Sequence, residues 1–328
     1  IWRYAERSYC ATADDQLAPG KGLGSAMAAK KRLESCGGKE AGWVTAIPSR
    51  PEYRMTSQQW RDRFAVRLSL PLPFLRAGPT SCDCHDAFTR RSGAIAQGVP
   101  GAQRPLPPGS RGRITRVPRP PVDPFGEHEQ RCPFAFKLGP HDRVQLQHQR
   151  NLNRADLPTK LASVHELRSA NDPHSMKQAD LLTSGLSANG NDTLLDIGRT
   201  HPLIDTNLND QSLGNRAYAA DKYAESKDRR YRRIINDNNL PYGYKSLCMD
   251  TLGAFGTSLW SVIDRATDPN THPKASGDYD PWRRPAPRRE YVLSVAFANQ
   301  IGDAIMVRGA DARRRRNRSG GRYATGAR

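Results

Sequence analysis

The sequence predicts an α/β fold, and three observations predict it. Two short apolar runs, QADLL and TLLDI, flank TSGLSANGND with its Asn189-Gly190 turn signal, which reads as a β-hairpin. A segment from about Asn215 to Asn236 follows, with Ala217, Ala220, Ala224, Lys227, Tyr231 and Ile234 at three- and four-residue spacing, an amphipathic helix whose stripe faces a sheet. Tyr242 to Met249 then reads as a further strand.

The remaining elements are read in chain order. Residues 24 to 35 form a short helix that stops at Cys36-Gly37-Gly38. A second helix has Thr56 or Ser57 as its cap, carries Trp60, Phe64 and Leu68 at four-residue spacing, and ends at the prolines of LPLPF. From about Asp86 to Pro121 the chain is rich in Arg, Pro and Gly, has no acid after Asp86 and keeps no periodicity. Such a stretch buries too little apolar surface to offset its ordering entropy, so it is expected to be a disordered basic insertion. A polar helix is expected over 143 to 168, and two more over Ser258 to Arg265 and Glu290 to Arg308, separated by a loop rich in Pro, Asp and Arg. The tail beyond, with RRRR at 313 to 316, is expected to be disordered and resembles a nuclear-import or nucleic-acid patch.

Composition narrows the function classes. The 328 residues carry a formal charge of +18, with 51 Lys and Arg against 33 Asp and Glu, which implies a polyanionic partner, DNA or RNA before an anionic membrane. No segment approaches the roughly 20 apolar residues that span a bilayer, so no membrane role is expected. The amino terminus, IWRYAERSYC, lacks a secretion signal and a starting Met, and is read as the start of a carboxy-terminal fragment of a longer product. Six scattered cysteines argue against a disulfide framework and for an intracellular setting, and the basic tail points to the nucleus.

Two sets of residues carry chemistry. Cys82 and Cys84, with His128 and Cys132 of GEHEQRC, make a Cys3His set that suits structural zinc. The long gap between the two halves does not exclude it. Each doubling of a loop adds only about 0.6 kcal/mol, against roughly 10 kcal/mol or more from structural zinc.

The second set centres on Asp196, among Leu194, Leu195 and Ile197, where an unpaired carboxylate is costly and needs a cation. Arg199 is one candidate partner; a metal is another. A turn centred on Ala188 puts Asp180 directly opposite Asp196, whereas a turn at Asn189-Gly190 offsets them by about three residues, or roughly 10 Å. Two carboxylates with water and phosphate oxygens are the ligand set of Mg2+. Lys227, in the middle of its helix's apolar stripe, needs a carboxylate or phosphate partner unless its stem snorkels out of the core. Glu225 points away from that stripe.

CDCHDA followed by VDPFGEHEQRC resembles the Cys and His knuckle between the reverse transcriptase and the restriction-like endonuclease of certain non-LTR retrotransposons, with the basic stretch 86 to 121 inserted within it. The lead-in ESCGGKEAGWVTAIPSRPEYRMTSQQWRDRFAVRLSLPLP is similar to the family's, and LLDIGRTHP, AESKDRRY and LCMDTLGAFG resemble its Asp-bearing strand, Lys-x-x-x-Tyr helix and TLG segment. The resemblance covers roughly residues 33 to 310 outside the insertion.

It implies a helical remnant of the reverse transcriptase over 1–75, a zinc knuckle over 76–140, and a restriction-like endonuclease over 141–310, a small mixed sheet with flanking helices of the PD-(D/E)xK type, before the basic tail at 311–328. It further implies that Asp180 and Asp196 hold Mg2+ or Mn2+, that Lys227 assists at the phosphate, and that Tyr231 positions Lys227 or the DNA. The activity so implied is nicking of target DNA, with an upstream reverse transcriptase and element RNA as partners. This chain reads KQAD where the family has Arg or Lys, Pro, then Asp. That departure and the insertion keep a second reading open, a zinc-containing nucleic-acid-binding remnant that cuts nothing.

Overall fold

The computed structural model of the chain describes residues 23–44, 46, 51–68, 70–76, 126–131, 138–168, 178–187, 189–204, 207–268 and 287–323. The basic insertion, Cys82, Cys84, Cys132 and the loop before the last helix lie outside them.

The architecture is mixed α/β, a four-stranded sheet with helices on both faces. The elements in order are α1 (Leu23–Cys36), α2 (Ser57–Arg67), α3 (Pro73–Arg76), α4 (Glu127–Arg131), α5 (Leu138–Arg154), β1 (Thr159–Leu161), β2 (Leu181–Thr183), β3 (Thr193–Thr200), α6 (Tyr218–Asp237), β4 (Gly243–Asp250), α7 (Thr257–Ala266) and α8 (Pro287–Tyr323). The sheet order is β1-β2-β3-β4, with the first three strands antiparallel and β4 parallel to β3. A parallel neighbour requires a crossover, and α6 supplies it.

Strand alternation divides the core. Leu195 and Ile197 join Leu247, Met249, Leu259 and Val295 on the face covered by α5, α7 and α8, together with Trp43 and Tyr53 from the amino-terminal region. Leu194 points the other way, to Tyr231, Ile235 and Tyr244 beneath α6. Both faces of β3 are buried, as expected of a strand that reads as a continuous apolar run. Gly198 lets α6 come close. A Cβ there would lie 2.9 Å from the Tyr223 ring and closer still to Cys248 Sγ.

Several elements lie where the sequence places them. Helix α2 is capped at Thr56 by a reciprocal capping box with Gln59. The hairpin register pairs Leu181 with Leu195, which sets Asp180 opposite Asp196, the first of the two alternatives.

Two expectations need correction. The helix expected over 143 to 168 ends at Arg154, where Asp156 turns with a positive φ of 56°. The chain then enters β1, an edge strand too short to show a period, and a one-turn helix at Val164–Leu167 capped by Ser163 and Glu166. The last helix does not stop at Arg308 but runs to Tyr323. Its extra turns have tertiary anchors: Ala310 and Asp311 are buried, Asp311 pairs with Arg315 one turn on, and the Arg315 guanidinium donates to the Phe74 carbonyl at 2.7 Å.

Candidate active site

The site forms where β3 outruns β2. Pairing between them ends at Leu181 and Leu195, with the Asp180 N–H donating to the Leu195 carbonyl at 3.0 Å. The next β3 residue facing that edge is Ile197, whose N–H and C=O meet no strand among the described residues. Buried backbone groups of this kind demand partners. The Asp180 carboxylate accepts from Ile197 N–H at 2.6 Å, and Lys227 Nζ donates to the Ile197 carbonyl at 3.1 Å. An open sheet edge is thereby sealed with charged side chains.

Asp180, Asp196 and Lys227 are brought together. Lys227 Nζ donates to Asp196 Oδ2 at 2.6 Å, and Asp180 and Asp196 are near enough that each perturbs the other's ionisation. Tyr244 OH also donates to Asp196 Oδ2, at 3.2 Å. Tyr231 stacks on Tyr244 with ring centroids 4.9 Å apart, and its hydroxyl donates to the Gln178 carbonyl at 3.2 Å. Tyr231 thus holds the backbone leading into Asp180, while the Lys227 ammonium sits over the Tyr223 ring at 5.3 Å. Glu225 is exposed. Arg199, the alternative partner for Asp196, faces the opposite side of the sheet and binds Asp303 and Asn299.

Protonation follows from this packing. Burial is the main force raising the Asp196 pKa, to about 6, with the charge of Asp180 adding to it and Lys227 opposing it. For Asp180 burial acts upward too, but the bonds from His141 and the Ile197 N–H outweigh it and hold the group below the usual carboxylate range. Burial acts to lower Lys227, and the Asp196 charge overcomes it, leaving the ammonium firmly protonated. The two carboxylates are therefore unequal.

His141, on the first turn of α5, was not singled out in the sequence. Its Nε2 lies 3.2 Å from Asp180 Oδ2, a bond that raises the histidine's pKa, and Nδ1 lies 3.3 Å from the Asp142 carboxylate. Gln145, one turn further, donates to the Asp180 carbonyl at 2.9 Å. The i, i+4 spacing of His141 and Gln145 on a polar helix is a signal only once α5 is known to cross the end of β2. Tyr244 was likewise missed, although its period-2 relation to Ser246 on β4 put it on the α6 face.

Among the described residues no group of three or more His, Cys, Asp and Glu side chains is gathered as a metal site. Asp180 and Asp196 are hard oxygen donors of the kind a divalent cation takes, and such an ion would stand in competition with the basic partners that each carboxylate already has, Lys227 on Asp196 and His141 on Asp180. Of the zinc set, only His128 is described, half-buried on α4. No described helix is long and apolar enough to cross a membrane. No protein-family model and no curated protein matches the chain.

Proposed function

We propose that the chain is a metal-dependent DNA endonuclease of the PD-(D/E)xK type, from the region of a non-LTR retrotransposon product that follows its reverse transcriptase, and that it nicks target DNA for insertion. The observation that carries this reading is the meeting of Asp180 and Asp196 across the hairpin with Lys227 delivered from the crossover helix onto Asp196. The small mixed sheet with flanking helices supports the restriction-like core that the resemblance implies.

Asp180 and Asp196 would hold Mg2+ or Mn2+. When bound, the cation supplies Lewis acidity at a phosphodiester oxygen and at the attacking water. The chain's own residues do the rest. His141 and the Ile197 N–H keep Asp180 ionised and aimed. Tyr244 orients Asp196, Tyr231 fixes the approach to Asp180, and the Lys227 ammonium is the positive charge available to a phosphate at the same place. DNA, and element RNA, are partners consistent with the charge of +18. In this reading Cys82, Cys84, His128 and Cys132 hold zinc, which elemental analysis checks, and the product acts in the nucleus.

One observation favours the alternative, a zinc-containing nucleic-acid-binding remnant. Each carboxylate already has a basic partner, Lys227 on Asp196 and His141 on Asp180, so the cluster is satisfied without cutting anything. Incubation of supercoiled plasmid with purified protein and Mg2+ separates the two. Nicking that disappears in Asp196→Ala supports the enzyme; salt-dependent binding with no nicking by the wild-type chain supports the remnant.

A further inference from the structure

Lys227 is asked to do two things that one position does not allow. It closes an ion pair with Asp196, Nζ to Oδ2 at 2.6 Å, and Asp196 is also the carboxylate offered to a divalent cation. Tyr244 donates to that same Oδ2 at 3.2 Å, which crowds the oxygen further. An ammonium and a divalent cation at one carboxylate repel each other, so once Asp196 is given to the cation, Lys227 has to be held by something else.

Among the described residues Lys227 Nζ has two further partners. One is the Ile197 carbonyl at 3.1 Å, and the other is the Tyr223 ring, whose centroid lies 5.3 Å away. Tyr223 stands one turn before Lys227 on α6, at the i, i+4 spacing that brings helical side chains together. Its ring lies so close over Gly198 of β3 that a Cβ there would come within 2.9 Å of it, which leaves it little room to turn toward the sheet. The same residue is 37 % exposed, so the ring stands at the surface beside the cluster. An aromatic face attracts an ammonium and remains available when the carboxylate does not. A lysine on its flexible stem with no such seat turns to water.

We propose that Tyr223 is the positioning residue for Lys227: with the Ile197 carbonyl, its ring retains the ammonium at the edge of the cluster when Asp196 exchanges it for a divalent cation, and so keeps that charge available to the phosphate. The role in cutting rests on the endonuclease reading of the cluster. The hand-over from carboxylate to ring needs only the cation.

NMR of the full chain, labelled with 13C at its lysines and titrated with Mg2+ alone, reads the hand-over; the ε-methylene signal missing from Lys227→Arg assigns Lys227. Protons over an aromatic face resonate upfield. In wild type Mg2+ is therefore expected to move the Lys227 signal while leaving it upfield of those of exposed lysines. Tyr223→Phe keeps that behaviour, because the face and not the hydroxyl is used. In Tyr223→Leu the same titration sends the signal in among the exposed lysines. In plasmid nicking Tyr223→Leu is expected to lose about tenfold in kcat with KM unchanged, the scale of a partly desolvated cation–π contact, and Tyr223→Phe matches wild type.

Unfolding midpoints near that of wild type check the variants, and Tyr223→Met repeats the test on a second ringless side chain where Tyr223→Leu does not fold. A Lys227 signal that Mg2+ leaves unmoved, one that responds alike in wild type and the ringless variant, or a Tyr223→Phe chain that behaves as the ringless one overturns the proposal. A rise in KM with kcat unchanged makes the ring a DNA contact and overturns it as well. If wild type cuts nothing, the endonuclease reading falls by itself, and the titration still decides whether the ring is the second seat of Lys227.

Discussion

Two clusters of buried charge sit on opposite faces of β3, three residues apart in sequence, and they differ in one respect. Around Asp303 everything is closed. Its side chain is 0 % exposed, bonds Arg199 and lies 3.6 Å from Arg63, which in turn donates to Gln300 and to the Thr251 carbonyl. Around Asp196 the carboxylate is nearly as buried, but Lys227, Asp180 and His141 keep 15, 18 and 27 % of their side chains exposed. One cluster is sealed between helices and strand; the other opens where β2 ends. A buried charge network that reaches solvent can exchange a partner for a ligand, and one that does not can only hold elements together. The same strand thus supplies an acid to the open cluster and a base to the closed one.

The sharpest way to break this comparison is to exchange the two outcomes. Lys227→Ala is expected to lower plasmid nicking by about a hundred- to thousandfold, the scale of losing one electrostatic group aimed at a reacting centre, with a smaller fall in the urea unfolding midpoint than Asp303→Ala gives, because Asp196 can take up a proton and keeps the bond from Tyr244. A variant that cuts normally would return Lys227 to a purely structural role. Asp303→Ala is expected to do the reverse. It leaves two guanidinium groups buried without their carboxylate, at a cost of about 3–5 kcal/mol in unfolding experiments. Activity lost without loss of stability there would show that the closed cluster is not sealed.

A pH series sharpens the same contrast. His148 is fully buried on α5, its Nδ1 lies 3.1 Å from the Tyr291 hydroxyl, and burial depresses its pKa to about 3 from 6.5. Between those two values the unfolded chain binds a proton that the folded chain does not, so stability rises with pH across the window. It is fully present above 6.5 and is lost progressively as the pH falls toward 3. His148→Gln is expected to flatten this limb by a few kcal/mol. A denaturation series across the window reads it, and an acid limb unchanged in the variant would assign acid sensitivity to the carboxylates instead.

The smallest effect concerns spacing. Gly198→Ala puts a methyl against Cys248 Sγ of β4, its closest neighbour, and 2.9 Å from the Tyr223 ring of α6, and overpacking of this kind costs about 1–3 kcal/mol. Because it pushes α6 away from β3, nicking is expected to fall further than stability does. Equal falls, measured by unfolding midpoint and by plasmid assay, would mean that the helix moves without disturbing Lys227.

Sequence by itself determined the local pieces. The cap at Thr56, the hairpin between QADLL and TLLDI, the amphipathic helix bearing Lys227 and the parallel strand after it all follow from period, turn chemistry and capping, which act over a few residues. It also singled out Asp196, since a carboxylate within an apolar strand announces its own need for a partner. What it could not determine was which partner. Asp196 and Arg199 are neighbours in sequence, yet strand alternation sends them to opposite faces, and only the helices packed on each face decide that one meets Lys227 and the other Asp303. His141 was invisible for the same reason: α5 is polar in sequence, and its first turn matters only because it crosses the unpaired end of β3 beside Asp180. The length of α8 was likewise set by contacts from afar, with Arg315 bonded to Phe74. Local propensity fixes where elements begin and turn, whereas the pairing of charges across elements belongs to packing, because burial makes an unmet charge costly and only the assembled fold says which groups are within reach to meet it.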